Sequence, residues 1–442
     1  MTLAFQVETV DQVVHVCTIC QRSNSVVEIV NMRRIGVVGP GLMGLGIAQI
    51  AAAAGYDVVL MGRDAAASEL GLSRLESQLG RHVERRRLTE EASRAILGKV
   101  EAAAGPASLT GCDIGIESVH EDRALKAAVL DMMQNALGPG RLIATNTSGL
   151  PIGGLAENLR EPDRFIGLHF FSPVERMKLV EVVPGRSTSD ATLEEALAFV
   201  RSLGQSPVKV SDGPGFFTSR VFCAYLDEAL AMVGEGVEAE LIEAAALAGG
   251  RAVGPLAVLD DTSLNLSLQH SRQAVADGLP EARCRLIGVH VLESMIEIGR
   301  SGRREGGAFY EHTDGDRRLW PGLASLFPRD GRRPAAADVQ DRLRFAEAME
   351  ALRALEEGAI GSADDADTAS VQGLGFPGKG VFAWVEDYGL PAFVDRSTAL
   401  ARQHGARFEP SSWLRARAQS GDGLQPWREH SHLAARGSAG HS

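Results

Sequence analysis

This chain of 442 residues lacks the positive charge that nucleic-acid binding asks for: 57 acidic residues against 45 Lys and Arg leave a formal charge of −12. A polyanion is thereby excluded as the main partner, although a local basic patch can still receive a single phosphate group. No apolar run approaches the roughly twenty residues of a membrane span. The beginning of the chain holds no basic stretch followed by an uninterrupted apolar core, so a secretory leader is not expected. Cysteine is scarce, five in all and odd in number, which argues against a disulfide framework and for a reducing, cytoplasmic compartment. Cys17 and Cys20 make a C-x-x-C with no second pair and no β-α-β context, so the spacing is read as coincidence and no metal site is assigned. What is present is 45% hydrophobic and 23% charged sequence, enough for about three domains with real cores.

Residues 34–64, RIGVVGPGLMGLGIAQIAAAAGYDVVLMGRD, read as strand, tight turn, helix and second strand. Gly39, Gly41 and Gly44 form G-x-G-x-x-G between an apolar strand and an alanine-rich helix that Gly55 can end. The first glycine permits the turn, the second lets backbone approach a pyrophosphate, and the third lets helix and strand pack closely. Amides at the helix start, including those of Leu42 and Met43, then meet phosphate charge. The motif predicts a dinucleotide site.

Residues 167–181, GLHFFSPVERMKLVE, set His169 twelve positions ahead of Glu181. HFF and KLVEVV read as two strand-like pieces around the turn-prone Ser172-Pro173, which lets both side chains return to one place. A neutral imidazole can take the proton of an alcohol while hydride leaves the same carbon, provided a carboxylate fixes its tautomer and steadies the cation.

With these two regions the chain resembles the 3-hydroxyacyl-CoA dehydrogenase family, in particular the dehydrogenase portion of multifunctional fatty-acid oxidation proteins. The resemblance runs from about Arg33 to about Gly421 and rests on ATNTSGLPI (144–152), RFIGLHFFSPVERMKLVEVV (164–183), DGPGFFTSR (212–220), GPLAVLD (254–260) and GRREGGAFY (302–310). It implies that His169 is the catalytic base and Glu181 its orienting partner. Ser148, in the NTS of Asn146 to Ser148, would hydrogen-bond the reacting oxygen beside the nicotinamide ribose, with Asn146 at the coenzyme. Glu121 and Lys126, in SVHEDRALK, match the family's coenzyme-contacting acid and lysine. The arm after the second strand contacts CoA in the family, which marks Arg81, Arg85 and Arg86 as phosphate candidates.

Departures from the family pattern carry information too. Where the family has asparagine in HFFNP and PGFxxNR, this sequence has Ser172 and Ser219, both expected at the substrate, with Ser219 also among the expected catalytic residues beside His169, Glu181 and Ser148. A serine hydroxyl is shorter than an asparagine amide and needs a bridging water to cover the same reach. TSLN (262–265) replaces VGLD, again near the expected acyl chain. The acid that grips the adenosine ribose would fall at Gly62, followed by Arg63. Loss of that carboxylate removes repulsion toward a 2′-phosphate and a guanidinium can bind it, so the coenzyme is NAD(H) or NADP(H) with a slight lean to NADP(H); Asp64 and the family default stand on the NAD side.

Along the chain, the expected order is an extension (1–32), a Rossmann-type NAD(P)-binding domain (33–212), a first helical domain (213–311), a linker (312–335), a second helical copy (336–422) and a disordered tail (423–442). Two helix-like runs, 68–88 and 89–103, are expected beside the sheet. The helical region appears twice: RVFCAYLDEALAMVGEG (220–236) and RLRFAEAMEALRALEEG (342–358) share residues at a constant offset of 122, which Pro255 and Pro377 preserve. The fold class is thus α/β, a Rossmann domain followed by two tandem all-α domains of the 6-phosphogluconate-dehydrogenase-like kind. Two fused copies can pack on each other where a partner subunit would otherwise sit, giving a monomer with one active site, or a homodimer. Trp384 is read as a core aromatic. Met32, directly before RRIGVVG, is a candidate start, and 32 residues leave no room for an enoyl-CoA hydratase module. The expected reaction is reversible oxidation of (S)-3-hydroxyacyl-CoA. Its alternatives are a biosynthetic NADPH-dependent reductase of 3-oxoacyl thioesters on CoA or acyl carrier protein, and a nucleotide-binding relative with impaired turnover.

Overall fold

The computed structural model describes residues 32–424 apart from 280–283, 314–315, 330, 332 and 422. The 1–32 extension, apart from Met32, together with Cys17 and Cys20 and all but the first two residues of the expected tail, lies outside the described residues. The first layer is built from β1 (Arg34–Val38), α1 (Leu42–Ala53), β2 (Asp57–Met61), α2 (Ala65–Glu84), α3 (Glu90–Leu97), β3 (Val100–Ala102), β4 (Ile114–Glu117), α4 (Arg123–Leu137) and β5 (Leu142–Thr145). It is completed by α5 (Ile152–Ala156), β6 (Phe165–Phe170), β7 (Leu179–Pro184), α6 (Asp190–Ser202) and β8 (Ser206–Lys209). The sheet order is β3-β2-β1-β4-β5-β6-β7-β8. All neighbours are parallel except β6 and β7, which pair antiparallel. Strand order reverses between β1 and β4, and in such a sheet a crevice opens at the carboxyl ends on that line. The strands read as continuous apolar runs because helices cover both faces, and β1, β4, β5 and β6 are buried almost throughout.

The second helix-like run is shorter than expected. Its end, Val100–Ala102, pairs with β2 as an edge strand because Gly98 ends α3 and Val100 fits the apolar register beside Val58. The expected linker also has structure: β9 (Tyr310–Thr313) and β10 (Asp316–Leu319) form a hairpin, followed by α12 (Leu323–Leu326), after the helices numbered next.

Five helices, α7 (Thr218–Gly234), α8 (Ala239–Ala248), α9 (Pro255–Thr262), α10 (Leu264–Ala276) and α11 (Val289–Glu297), precede that hairpin. Five more follow α12: α13 (Ala336–Glu356), α14 (Ala363–Leu374), α15 (Val381–Tyr388), α16 (Leu390–His404) and α17 (Ser412–Ser420). α7 and α13 lie against each other, and their charges show the duplication directly. Arg220 pairs with Glu350 and Glu357, and Arg342, at the repeat offset, pairs with Glu228 and Glu235. Each set thus lends an arginine to two glutamates of the other, as in an isologous two-fold contact. The second set also touches the sheet: Val210, just past β8, bridges Ile360 antiparallel. Trp384 packs among Phe345, Phe376, Tyr388 and Phe393, inside the second set.

His404 lies at the edge of this charge network. Burial, with Arg342 and Arg407 nearby, pushes its imidazole down to about 4. The folded protein therefore keeps it neutral where the unfolded chain takes up a proton, so this contribution to stability is present above about pH 6.5 and is lost as pH falls toward 4. Thermal unfolding across that window is expected to show a weaker loss of Tm in His404→Gln than in the wild type; equal slopes would refute it.

Candidate active site

The glycine turn sits at the sheet's reversal. Gly39 has φ +113°, and a Cβ there would stand 2.3 Å from the Ser118 carbonyl oxygen. A Cβ on Gly44 would lie 1.9 Å from the Gly39 oxygen, so these two glycines are demanded by the protein's own packing. Gly41 is different: a Cβ there meets no protein atom within 4 Å, and its backbone at φ −80° suits any residue. α1 begins at Gly41 with no side-chain cap and no acidic residue in its first turn. An open, uncapped and uncontested helix start fits an anionic pyrophosphate. Leu42 is exposed beside it, Met43 half-buried, and a cleft of about 410 Å³ continues outward between Leu42, Leu70, Arg74 and Arg81. Arg85 and Arg86 are exposed at the end of α2, outside that lining.

His169 and Glu181 face each other in the antiparallel register of β6 and β7. Nδ1 lies 2.8 Å from Glu181 Oε2, which makes Nδ1 the donor and leaves the lone pair on Nε2. Glu181 is wholly buried. Both of its oxygens are partnered: Thr218 donates its backbone N–H at 2.8 Å and its hydroxyl at 2.7 Å, and Phe217 adds a longer N–H contact at 3.3 Å. The imidazole is walled by the Phe171 ring, 4.4 Å away between centroids, and by Phe216. The motif DGPGFFTSR marks Ser219 but not Phe217 or Thr218 as a site residue; only the return of α7 to the sheet brings their amides to the carboxylate.

Ser148 follows β5. Its amide donates to Glu121 Oε1 at 3.0 Å, with its hydroxyl 3.4 Å away. Ser219, in the first turn of α7, donates its hydroxyl to the Ser148 carbonyl at 3.1 Å, so the two serines meet across the junction. Asn146 accepts from the Phe170 amide at 2.9 Å and reaches Ser118, tying the ends of β4 and β6 to β5. Ser172 is exposed on the loop after Phe171. Lys126 is 1% exposed, and its ammonium is spent on Glu117, Glu121 and the Val119 carbonyl, so here it holds other side chains. Although burial alone would raise it, the Glu121 carboxyl is held below its ordinary range by Lys126, Thr147 and the Ser148 amide.

At the end of β2, Gly62 is buried and its amide donates to Ser68 Oγ at 2.9 Å. A Cβ at Gly62 would run into Ala67 and Ser68. The Arg63 side chain is exposed, whereas Asp64 caps α2 by accepting from Ala67 N at 2.7 Å and also faces Arg63 Nε. The only carboxylate of this turn is therefore occupied by the helix end and the arginine. Among the described residues no group of His, Cys, Asp and Glu is arranged to hold a metal ion, and no helix is long and apolar enough to cross a membrane.

The NAD binding domain of 3-hydroxyacyl-CoA dehydrogenase matches residues 34–213, and the C-terminal domain of that family matches 215–312. (S)-3-hydroxybutyryl-CoA dehydrogenase from Ralstonia eutropha is 33% identical, aligned over 64% of this chain and 100% of its own, with a TM-score of 0.60. The chain belongs to the 3-hydroxyacyl-CoA dehydrogenase family. Its likeness to 3-hydroxybutyryl-CoA dehydrogenase from Escherichia coli K12 reaches a TM-score of 0.76 at 26% identity, over 89% of this chain and 99% of that one. The fatty acid oxidation complex subunit alpha of Vibrio cholerae is 31% identical over 400 residues, 89% of this chain but 56% of its own length. The chain thus spans just over half of such relatives.

The two kinds of glycine predict opposite outcomes. Gly41→Val is expected to weaken nicotinamide-coenzyme binding by on the order of a hundredfold with Tm unchanged, whereas Gly44→Ala should lower Tm by several degrees. Coenzyme titration by fluorescence and thermal unfolding check both; a Gly41→Val protein that still binds normally would remove the cradle.

Proposed function

We propose that this chain catalyses the reversible oxidation of an (S)-3-hydroxyacyl-CoA to the 3-oxoacyl-CoA, and the observation that carries the reading is the buried His169–Glu181 pair at the end of β6. The bound nicotinamide supplies hydride acceptance from C3 and, in reverse, hydride donation. In the oxidative direction His169 Nε2 takes the hydroxyl proton as the C3–H bond breaks, and the carbonyl forms from the two electrons left on oxygen. Glu181 stabilises the imidazolium and, by fixing Nδ1–H, keeps the basic nitrogen aimed at the ligand. Ser148 is read as the hydrogen-bond donor to the reacting oxygen, with its loop held by Glu121 and Ser219. Leu42, Met43, Asn146, Gly62 and Arg63 are read as coenzyme contacts, and Ser172 as a substrate contact through a bridging water.

The coenzyme preference leans to NADP(H). Gly62 leaves no carboxylate against a 2′-phosphate, Asp64 is engaged at the helix cap, and the exposed Arg63 guanidinium can turn to form paired hydrogen bonds with phosphate oxygens. That lean favours, as a second reading, a reductase working in the biosynthetic direction on CoA or carrier-protein thioesters. The serines in place of asparagines favour a third, a relative with impaired turnover.

Acetoacetyl-CoA-dependent oxidation of NADPH and NADH separates the three. Wild type is expected to turn over, and His169→Ala to lose on the order of a thousandfold in kcat; no activity with either coenzyme would sink the dehydrogenase reading. Arg63→Ala is expected to raise KM for NADPH about tenfold with NADH little changed, and a tenfold wild-type preference for NADH would overturn the lean.

A further inference from the structure

Glu117, the last residue of β4, is a wholly buried carboxylate that the reaction above does not use. Burial of this kind is tolerated only where every oxygen is partnered. Its Oε1 accepts from the Val119 amide at 2.6 Å and from Lys126 Nζ at 2.9 Å. Its Oε2 accepts from the Thr145 hydroxyl at 2.6 Å and from the same ammonium at 3.1 Å. On its other side Lys126 lies 3.3 Å from Glu121 Oε2. The second oxygen of Glu121 then receives the Thr147 hydroxyl and the amide and hydroxyl of Ser148. Three charges of alternating sign therefore run from the end of β4 to the loop after β5, with Lys126 at the middle and only Glu121 partly open to solvent.

The order of the charges matters. Lys126 closes on both Glu117 oxygens, at 2.9 and 3.1 Å, and reaches only Oε2 of Glu121, at 3.3 Å, so Glu121 Oε1 is left for the Thr147 hydroxyl and the Ser148 amide and hydroxyl. Were the Glu117 charge removed, the ammonium would be drawn to Glu121 as its one carboxylate partner, pulling that carboxylate from the Ser148 amide. We propose that Glu117 is a positioning residue of this site, acting through Lys126 and Glu121 to fix Ser148. The inference rests on the dehydrogenase reading for its consequence in turnover, but its structural half does not need it.

Two measurements on the full chain keep the two apart. In the coenzyme-free protein, Glu117→Gln is expected to speed amide hydrogen exchange in the 146–149 loop by about tenfold while peptides from α7 and α13 stay unchanged. In turnover with acetoacetyl-CoA, the same variant should lose about tenfold in kcat with the thioester KM within about threefold, since a group aimed at the reacting oxygen and not at binding is displaced. In a Lys126→Met background Glu117→Gln should change neither readout further, because the route between them is already cut. Unaltered loop exchange in folded Glu117→Gln protein overturns the proposal. So does a further tenfold change in the Lys126→Met background, which would make Thr145 the route. If Glu117→Gln alone does not fold, the double variant, which removes both buried charges together, is compared with Lys126→Met under the same two criteria. A wild type without turnover sinks the dehydrogenase reading and leaves the exchange test of Glu117 standing.

Discussion

One carboxylate, that of Glu181, joins the parts of this protein. It comes from β7, the strand that turns antiparallel to the nucleotide sheet, and it orients an imidazole on β6. Its other hydrogen bonds arrive from the start of α7, in the helical region. A carboxylate at zero exposure needs donors for both oxygens, since each unmet polar group costs on the order of 1–3 kcal/mol. The strand pairing, the course of the chain between β8 and α7 and the tautomer of His169 are therefore set together, and the candidate site exists only where the nucleotide layer and the helices meet.

The second set of helices extends that dependence. The reciprocal pairs of Arg220 and Arg342 hold α7 against α13. Gly373, near the end of α14, packs against this site: a Cβ there would stand 2.5 Å from Leu179 Cδ2 and in ordinary contact with Thr218 and Phe171. Those neighbours are the strand of Glu181, its hydroxyl donor and the ring over His169. Residues far along the chain thus confine the groups that confine the imidazole, through packing and not through any direct polar contact.

Some of this was legible because the chemistry forces a local pattern. A phosphate-binding turn requires glycine at fixed intervals between strand and helix, so G-x-G-x-x-G could be read without a structure, and the reappearance of Arg, Glu-Ala-Leu and Glu-Gly at one offset exposed the duplication. His169 and Glu181 were legible as a pair because one short antiparallel connection brings them to the same register. β3 was hidden inside a helix-like run, and the β9–β10 hairpin inside a stretch that resembled a linker; each has edge strands of four residues or fewer, whose pairing is decided by partners elsewhere. The sequence offered Lys126 as a coenzyme contact but gave no sign that its ammonium also pairs with the buried Glu117.

The amino-acid sequence by itself determined the nucleotide fold, the family, the repeated helices and the identity of the imidazole and its acid, because each of these depends on spacing within a short segment or on recurrence. Tertiary structure decided that Thr218 and Phe217 serve Glu181, that Asp64 is engaged by a helix end and that Lys126 stands between two carboxylates. Burial and hydrogen-bond satisfaction at these positions are properties of the assembled interior, where donors distant in sequence converge on one charge, and no local pattern encodes which donor arrives.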